Sequence, residues 1–317
     1  MLKFLLLTLF GFLVKACVLA TALIYYIVAR TGIGADLCRK FGFQPIRIHY
    51  YQPIPRYEVL NSEIFEARQD FPGFKLDASG FTQLLANLGE FQSEANWPAK
   101  PAALGQYHTN NENFGFSSAA LLHTMIRAHK TRKVIEIGGG FSSLISLQAL
   151  KKNHGEGFEF VCIEPYPRPW LEGAIGAHSG AQLVKQPAEQ LDPAMLADLA
   201  ENDILFIDSS HCVRLASDVN FLYLQVIPRL KPGVIVHIHD IYIPYEYPRV
   251  HFYGRQKVFW NEQYLLQALL TNNPHLEVLL PGYFVQKDME RDFTAAFPAY
   301  DPIQHRKTSS FWIRVCG

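Results

Sequence analysis

A chain of 317 residues that is 49% hydrophobic and 18% charged is long enough to bury a full core and too apolar to be disordered. Its 29 Lys plus Arg balance 29 Asp plus Glu, and no basic stripe with interleaved aromatic residues runs along it, which argues against a nucleic-acid partner. Five cysteines, Cys17, Cys38, Cys162, Cys212 and Cys316, are an odd number without paired spacing, so a disulfide framework and a thiolate zinc site are both disfavoured and a reducing compartment is favoured.

The first element is an apolar run from Phe4 to Ala29 with Lys15 as its sole charge. At about 1.5 Å of rise per residue it is long enough to cross a hydrocarbon layer of about 30 Å. Residues 1–30 therefore read as a single-pass membrane anchor through residues 4–29. A cleaved secretory signal is the alternative, but the run continues through Tyr25, Tyr26 and Val28 with no small-residue cleavage site. Lys15 leaves a tilted or hairpin placement open. Arg30, Arg39 and Lys40 beyond the run outweigh Lys3 before it, which predicts a catalytic part on the cytoplasmic side.

Residues 31–104 are interrupted by Pro45, Pro53, Pro55, Pro72, Pro98 and Pro101 and read as a connector or N-terminal cap, with one helix over Gly80–Phe91. Within it the aromatic and basic stretch FQPIRIHYYQPIPRY suits either a membrane surface or a segment packed on the domain. From residue 105 onward helices and short apolar strands alternate. Helix is expected over Phe116–Lys130, Phe141–Lys151, around Trp170, and over Pro193–Ala200, Leu215–Arg229 and Asn261–Leu270. Strand is expected over Lys133–Ile137, Phe158–Ile163, Ala181–Val184, Asp203–Ile207 and the run VIVHIH, with LEVLL and SFWIRV as a closing pair. Continuous apolar strands between helices predict an α/β domain with a mostly parallel sheet covered on both faces.

In such a sheet, ligands bind beyond the carboxyl ends of the strands. The segment VIEIGGGFSSL puts Gly138, Gly139 and Gly140 between the first strand and a helix, where missing side chains let a ligand lie on backbone N–H groups. A glycine turn alone also simply joins strand to helix. The second strand ends in CIEPYP, with Glu164 placed to accept the two hydroxyls of a ribose. Glu136, just before the glycines, disfavours a pyrophosphate and suits the cationic amino-acid end of a ligand.

EIGGGFSS, IEPYP, NDILFIDSSH and LKPGVIVHIHDIYIPYEYP, in that order and spacing, resemble the successive motifs of the class I S-adenosylmethionine-dependent methyltransferases. The likeness is to the macrocin O-methyltransferase-like and catechol O-methyltransferase-like subgroup, and it runs from about Tyr107 to the C-terminal region. It implies a Rossmann-like domain over 105–317 and S-adenosylmethionine as the cofactor, bordered by Glu136, Gly138, Gly139, Gly140 and Asp208. Ser142 would bond its carboxylate and Glu164 its ribose. GGGFSS departs from the commoner spacing of alternating glycines, which bears on the contacts of Gly139 and Ser143.

The acceptor side rests on Asp208 and His211 of DSSH and on His239 and Asp240 at the end of the neighbouring strand. The resemblance implies a divalent cation at Asp208, His239 and Asp240. An imidazole in that set shifts the choice from Mg²⁺ toward a transition metal or toward no metal. Without a metal, His211 or His239 is the general base. A structural hydrogen bond is the competing reading for each histidine and the preferred one for His237. The loop IYIPYEYPRVHFYG suits an aromatic floor or lid, or plain packing, and Glu262, Gln263 and Tyr264 suit either acceptor binding or helix capping. The expected activity is methyl transfer to a hydroxyl of a carbohydrate or related small metabolite. A hydroxylase-like relative on the same sheet and a non-catalytic cofactor-binding module are the alternatives.

Overall fold

The computed structural model describes residues 2–255 and 257–317, the side chains of 2–7 and 9 excepted. Lys3, one of the charges used above for orientation, therefore lies outside the described side chains. The chain forms two compact units, Met1–Ser62 and Glu63–Gly317.

The first unit is dominated by a helix over Leu2–Thr31. Its portion Phe10–Thr31 has a mean hydropathy of 2.1, is long and apolar enough to cross a membrane, and buries none of that surface within the protein. After it, Gly34 at φ 80° turns the chain into a short helix, Ala35–Lys40.

The second unit is built on a sheet of seven strands among the described residues. These are β1 (Lys133–Ile137), β2 (Glu159–Ile163), β3 (Ala181–Val184), β4 (Ile204–Ile207), β5 (Ile235–Ile238), β6 (Leu276–Pro281) and β7 (Phe311–Val315). Their order is β3-β2-β1-β4-β5-β7-β6. The first five run parallel, whereas β7 is antiparallel to both β5 and β6. Alternation along the strands supplies two cores. Val134, Phe160, Phe206 and Trp312 pack on one face with the helix Phe116–Ala128, and Ile135, Leu205, Val236 and Ile313 pack on the other with the helix Glu262–Leu270. The connection from β3 to β4 passes back across β1, so the crevice between β1 and β4 is the point where the strand order reverses.

Several expectations need correction. The helix expected over Pro193–Ala200 ends at Leu196. The one expected from Leu215 begins at Asp218, because Ser217 caps it by accepting from the Asn220 N–H; the chain then widens into a π-helical turn, Leu222–Val226, and tightens over Ile227–Arg229 where Pro228 withholds a donor. After β6 two unanticipated helices, Gly282–Asp288 and Glu290–Ala296, occupy the stretch before β7. The helix read over Gly80–Phe91 runs from Ala78 to Gly89, capped by Asp77, and buries Phe81, Leu85 and Leu88 in the same core as the sheet. Gly89 packs directly on Ala296: a Cβ there would meet the Ala296 Cα at 3.3 Å.

Candidate active site

The turn after β1 is shaped by what surrounds it. Gly138 has φ 87°, and a Cβ on it would lie 1.9 Å from the carbonyl oxygen of Asp208, so only glycine lets the ends of β1 and β4 come this close. Gly139 is pressed in the same way against the Cys162 sulfur, 2.4 Å from where its Cβ would be. Gly140 differs: nothing lies within 4 Å of its Cβ position, and it borders a cavity of about 490 Å³. The helix Phe141–His154 starts there, and Phe141 and Ser142 of its first turn border the same cavity.

Glu164, one residue past β2, borders that cavity and a second one of about 390 Å³ which continues over Pro187 and Ala188. Its carboxylate is fixed by backbone donors, the Gly139 N–H at 3.2 Å and the Tyr166 N–H at 2.8 Å. Glu136 has a different situation from its sequence neighbours. It is fully buried, borders neither cavity, and accepts from the hydroxyls of Ser142 at 2.5 Å and Ser143 at 3.0 Å. Burial pushes its carboxyl up to about 8 despite those two donors, so it is protonated at neutral pH. The Ser142 hydroxyl is thus engaged with Glu136, while the residue itself still borders the large cavity.

Across the crevice the ends of β4 and β5 bring Asp208, His211, His239 and Asp240 together. His211 Nε2 lies 3.3 Å from Asp208 and 3.6 Å from Asp240, and His239 Nδ1 lies 3.6 Å and 3.7 Å from the same two carboxylates. His211 and Asp240 both sit at positive φ, 58° and 57°, a backbone cost tolerated where a site dictates side-chain direction. Burial opposes charge on both imidazoles, but the surrounding carboxylates outweigh it, raising His239 and holding His211 well above the usual range. The Asp208 carboxyl is likewise desolvated, and the charges of His239 and His211 more than offset this and keep it ionised. Both imidazoles are therefore biased toward the protonated form by the neighbouring carboxylates.

The two histidines are held differently. His239 Nε2 is tied to the hydroxyl of Ser118 at 3.1 Å and faces that of Ser309 at 3.4 Å, and Ser309 donates to Asp240 at 2.8 Å. His211 Nδ1 lies 2.7 Å from the buried carboxylate of Glu262, and its carbonyl accepts the N–H groups of Asn261 and Glu262. Glu262 is thus neither an exposed acceptor contact nor a simple cap; it is a fully buried partner of His211. Asp208, His211 and Asp240 each offer one ligand atom within 4.8 Å of the others. That donor set fits a divalent cation, with His211 in the third place for which the sequence suggested His239.

His237 is not a hydrogen-bonded core histidine. Its ring is stacked between Trp312 at 3.8 Å and Phe206 at 4.1 Å, neither nitrogen has a partner among the described residues, and burial holds it neutral. The tyrosine-rich loop is mainly packing: Tyr245 and Tyr247 are buried, and Tyr242 alone of its tyrosines borders the large cavity. His251 of the same loop borders it too, together with Phe114, Trp170, Trp260 and Arg306, which lie outside the motifs. Trp260, adjacent to Asn261 and Glu262, has its ring 4.5 Å from that of His211.

Residues 135–241, which contain the glycine turn and all four residues of this cluster, match the family model described as a methyltransferase domain. The chain belongs to the class I methyltransferases. This methyltransferase is also 31% identical over 163 residues to an uncharacterized protein of Archaeoglobus fulgidus, a match covering 49% of this chain and 74% of the relative. Among solved structures it is similar to the O-methyltransferase TomG of Streptomyces achromogenes, solved with SAM, at 16% identity and a TM-score of 0.38, covering 77% of this chain and 92% of that one. It is also similar to an O-methyltransferase of Bacillus cereus, solved with SAH, at 14% identity and a TM-score of 0.37, covering 76% and 92%.

Proposed function

We propose that this methyltransferase transfers the methyl group of S-adenosylmethionine to a hydroxyl of a small-molecule or carbohydrate acceptor. The observation that carries the reading is that a glycine cradle with a free backbone face and a carboxylate–histidine cluster open on one cavity. The cradle fits the cofactor. Gly140 presents open space where a side chain would otherwise stand, and Glu164 at the end of β2 offers a carboxylate toward a ribose. Gly138 and Asp208 border both cavities, which suits a ligand extending from the nucleoside side over Pro187 and Ala188 to the reacting side at His239 and Asp240. When bound, S-adenosylmethionine supplies an electrophilic methyl group on its sulfonium.

The chain's own residues orient and activate the acceptor. Trp260, His251 and Tyr242 form a wall against which a ring can pack, and Asp208 and Asp240 accept hydrogen bonds from its hydroxyls. Asp208, His211 and Asp240 would hold a divalent cation, which supplies Lewis-acid polarisation of an acceptor oxygen. Glu262 fixes the His211 ring so that Nε2 faces the two aspartates. The helix through Thr31 acts as a single-pass anchor with the catalytic unit on the cytoplasmic side, and residues 31–104 link and cap it.

Methyl transfer from labelled S-adenosylmethionine to cell-envelope and nucleotide-sugar fractions tests this reading. A labelled product abolished by a chelator and restored by a divalent cation is expected. Transfer indifferent to chelator removes the cation and leaves the carboxylates as proton acceptors; absence of cofactor binding by calorimetry overturns the reading altogether.

A further inference from the structure

The aromatic and basic stretch beyond the apolar helix plays no part in the chemistry above. Within the first unit, Arg30 Nη1 donates to the Tyr26 hydroxyl at 3.3 Å, and the guanidinium of Arg47 lies 6.0 Å from the centre of the same ring. No carboxylate pairs with Arg30 or Arg47 among the described residues, although Arg39 and Arg56 each have an acidic partner. Pro45 is buried, and the segment beside it borders a cavity of about 370 Å³ together with Ala29, Arg47, His49 and Tyr51. Two guanidiniums with no acidic partner among the described residues thus meet one tyrosine near the end of an apolar helix, an arrangement suited to an anion.

The surroundings indicate where that anion comes from. Ile33, Leu37, Phe41, Tyr50 and Tyr51 are 61–78% exposed within a short span, a density that a water-facing surface seldom carries. Between residues 30 and 56 the acidic residue is Asp36, against Arg30, Arg39, Lys40, Arg47 and Arg56. Exposed aromatic and apolar side chains mixed with cations, directly after a span, match the composition of the headgroup layer rather than of water or hydrocarbon.

We propose that Arg30 and Arg47, with Tyr26 between them, bind the phosphate of an anionic phospholipid headgroup while Phe41, Tyr50 and Tyr51 lie in the surrounding interface. This rests on the reading of Phe10–Thr31 as a membrane span. The phosphate takes charge-assisted hydrogen bonds from both guanidiniums, and no other counter-ion is needed. The site adds specificity to an anchor that would otherwise hold any bilayer equally.

The test uses the full chain in nanodiscs containing equal amounts of phosphatidylcholine and phosphatidylglycerol, with native mass spectrometry of the lipids retained on release. Retained phosphatidylglycerol should exceed phosphatidylcholine, and the Arg30→Gln/Arg47→Gln variant should lose about fivefold of that preference per guanidinium. Lys40→Gln/Arg56→Gln carries the same change in net charge away from the site and should keep the preference. Equal loss in both variants, no preference in the unaltered chain, or displacement of the lipid by excess inorganic phosphate overturns the site. Failure of the chain to enter nanodiscs is a different result: it overturns the span itself, and the lipid site with it.

Discussion

Glu262 Oε2 and His211 Nδ1 are 2.7 Å apart, deep beneath the cavity floor, and the same histidine's other nitrogen faces Asp208 and Asp240. A buried carboxylate behind an imidazole fixes both its tautomer and its orientation. Glu262→Gln should therefore lower turnover by about 10–100-fold, the range found for outer-sphere partners of ligating histidines. Cofactor affinity measured by calorimetry should stay within a factor of about two, since Glu262 borders neither cavity. Equal losses in affinity and turnover would mean that Glu262 serves the fold rather than His211.

The two ends of the glycine turn should respond oppositely to the same substitution. Gly138→Ala sets a methyl group against the Asp208 carbonyl at a positive φ and should cost several kcal/mol, seen as loss of a cooperative melting transition. Gly140→Ala meets nothing in the protein, so its melting temperature should be unchanged while cofactor affinity falls. An intact affinity in Gly140→Ala would move the cofactor away from this turn.

Glu136 should make stability fall with rising pH. Its carboxyl titrates near its usual 4.5 when unfolded and at about 8 when folded, so the folded state keeps a proton that the unfolded state releases. The contribution is fully present below about 4.5 and declines as pH rises to about 8, a span on the order of 4–5 kcal/mol. Glu136→Gln, which cannot ionise and still accepts from Ser142 and Ser143, should flatten that decline. Denaturation midpoints at pH 5 and pH 8.5 for both proteins measure it; parallel slopes would count against a protonated Glu136.

A fragment beginning at Glu63 should fold and remain soluble, whereas one beginning at Leu104 should aggregate. The second lacks Phe81, Leu85 and Leu88 and uncovers the face of Glu290–Ala296 on which Gly89 rests. Size-exclusion chromatography of the two fragments decides this. A monomeric, folded Leu104 fragment would show that the helix Ala78–Gly89 is dispensable.

The parallel sheet was legible because its strands are short, mostly apolar and separated by helices; Ile204–Ile207, wholly apolar between two turns, is the plainest case. Asp208 was legible for the same reason, being the first polar residue after such a run, and His239 and Asp240 stand together just past the next one. The pairing of His211 with Glu262 was not, since it joins a loop after β4 to a helix that follows β5, and no local pattern encodes which of two nearby histidines turns toward which carboxylate. Glu136 misled because a charged letter in a strand suggests a ligand contact, whereas two serines one turn into the next helix make it an internal, neutral group. The helices after β6 were hidden by a Pro-Gly pair that reads as a turn but stands at the start of Gly282–Asp288.

Placing β7 between β5 and β6 also has a consequence during synthesis. β5 completes its hydrogen bonding on one side with β4, already made, but its other neighbour comes from a segment translated only after β6 and two further helices. Until then the growing chain displays an open edge on Ile235–Ile238, a strand with all its residues destined for the interior. Such an edge is a template for pairing with another chain. A ribosome stalled before Phe311 would hold a polypeptide with β1 to β5 made and the β5 edge uncovered.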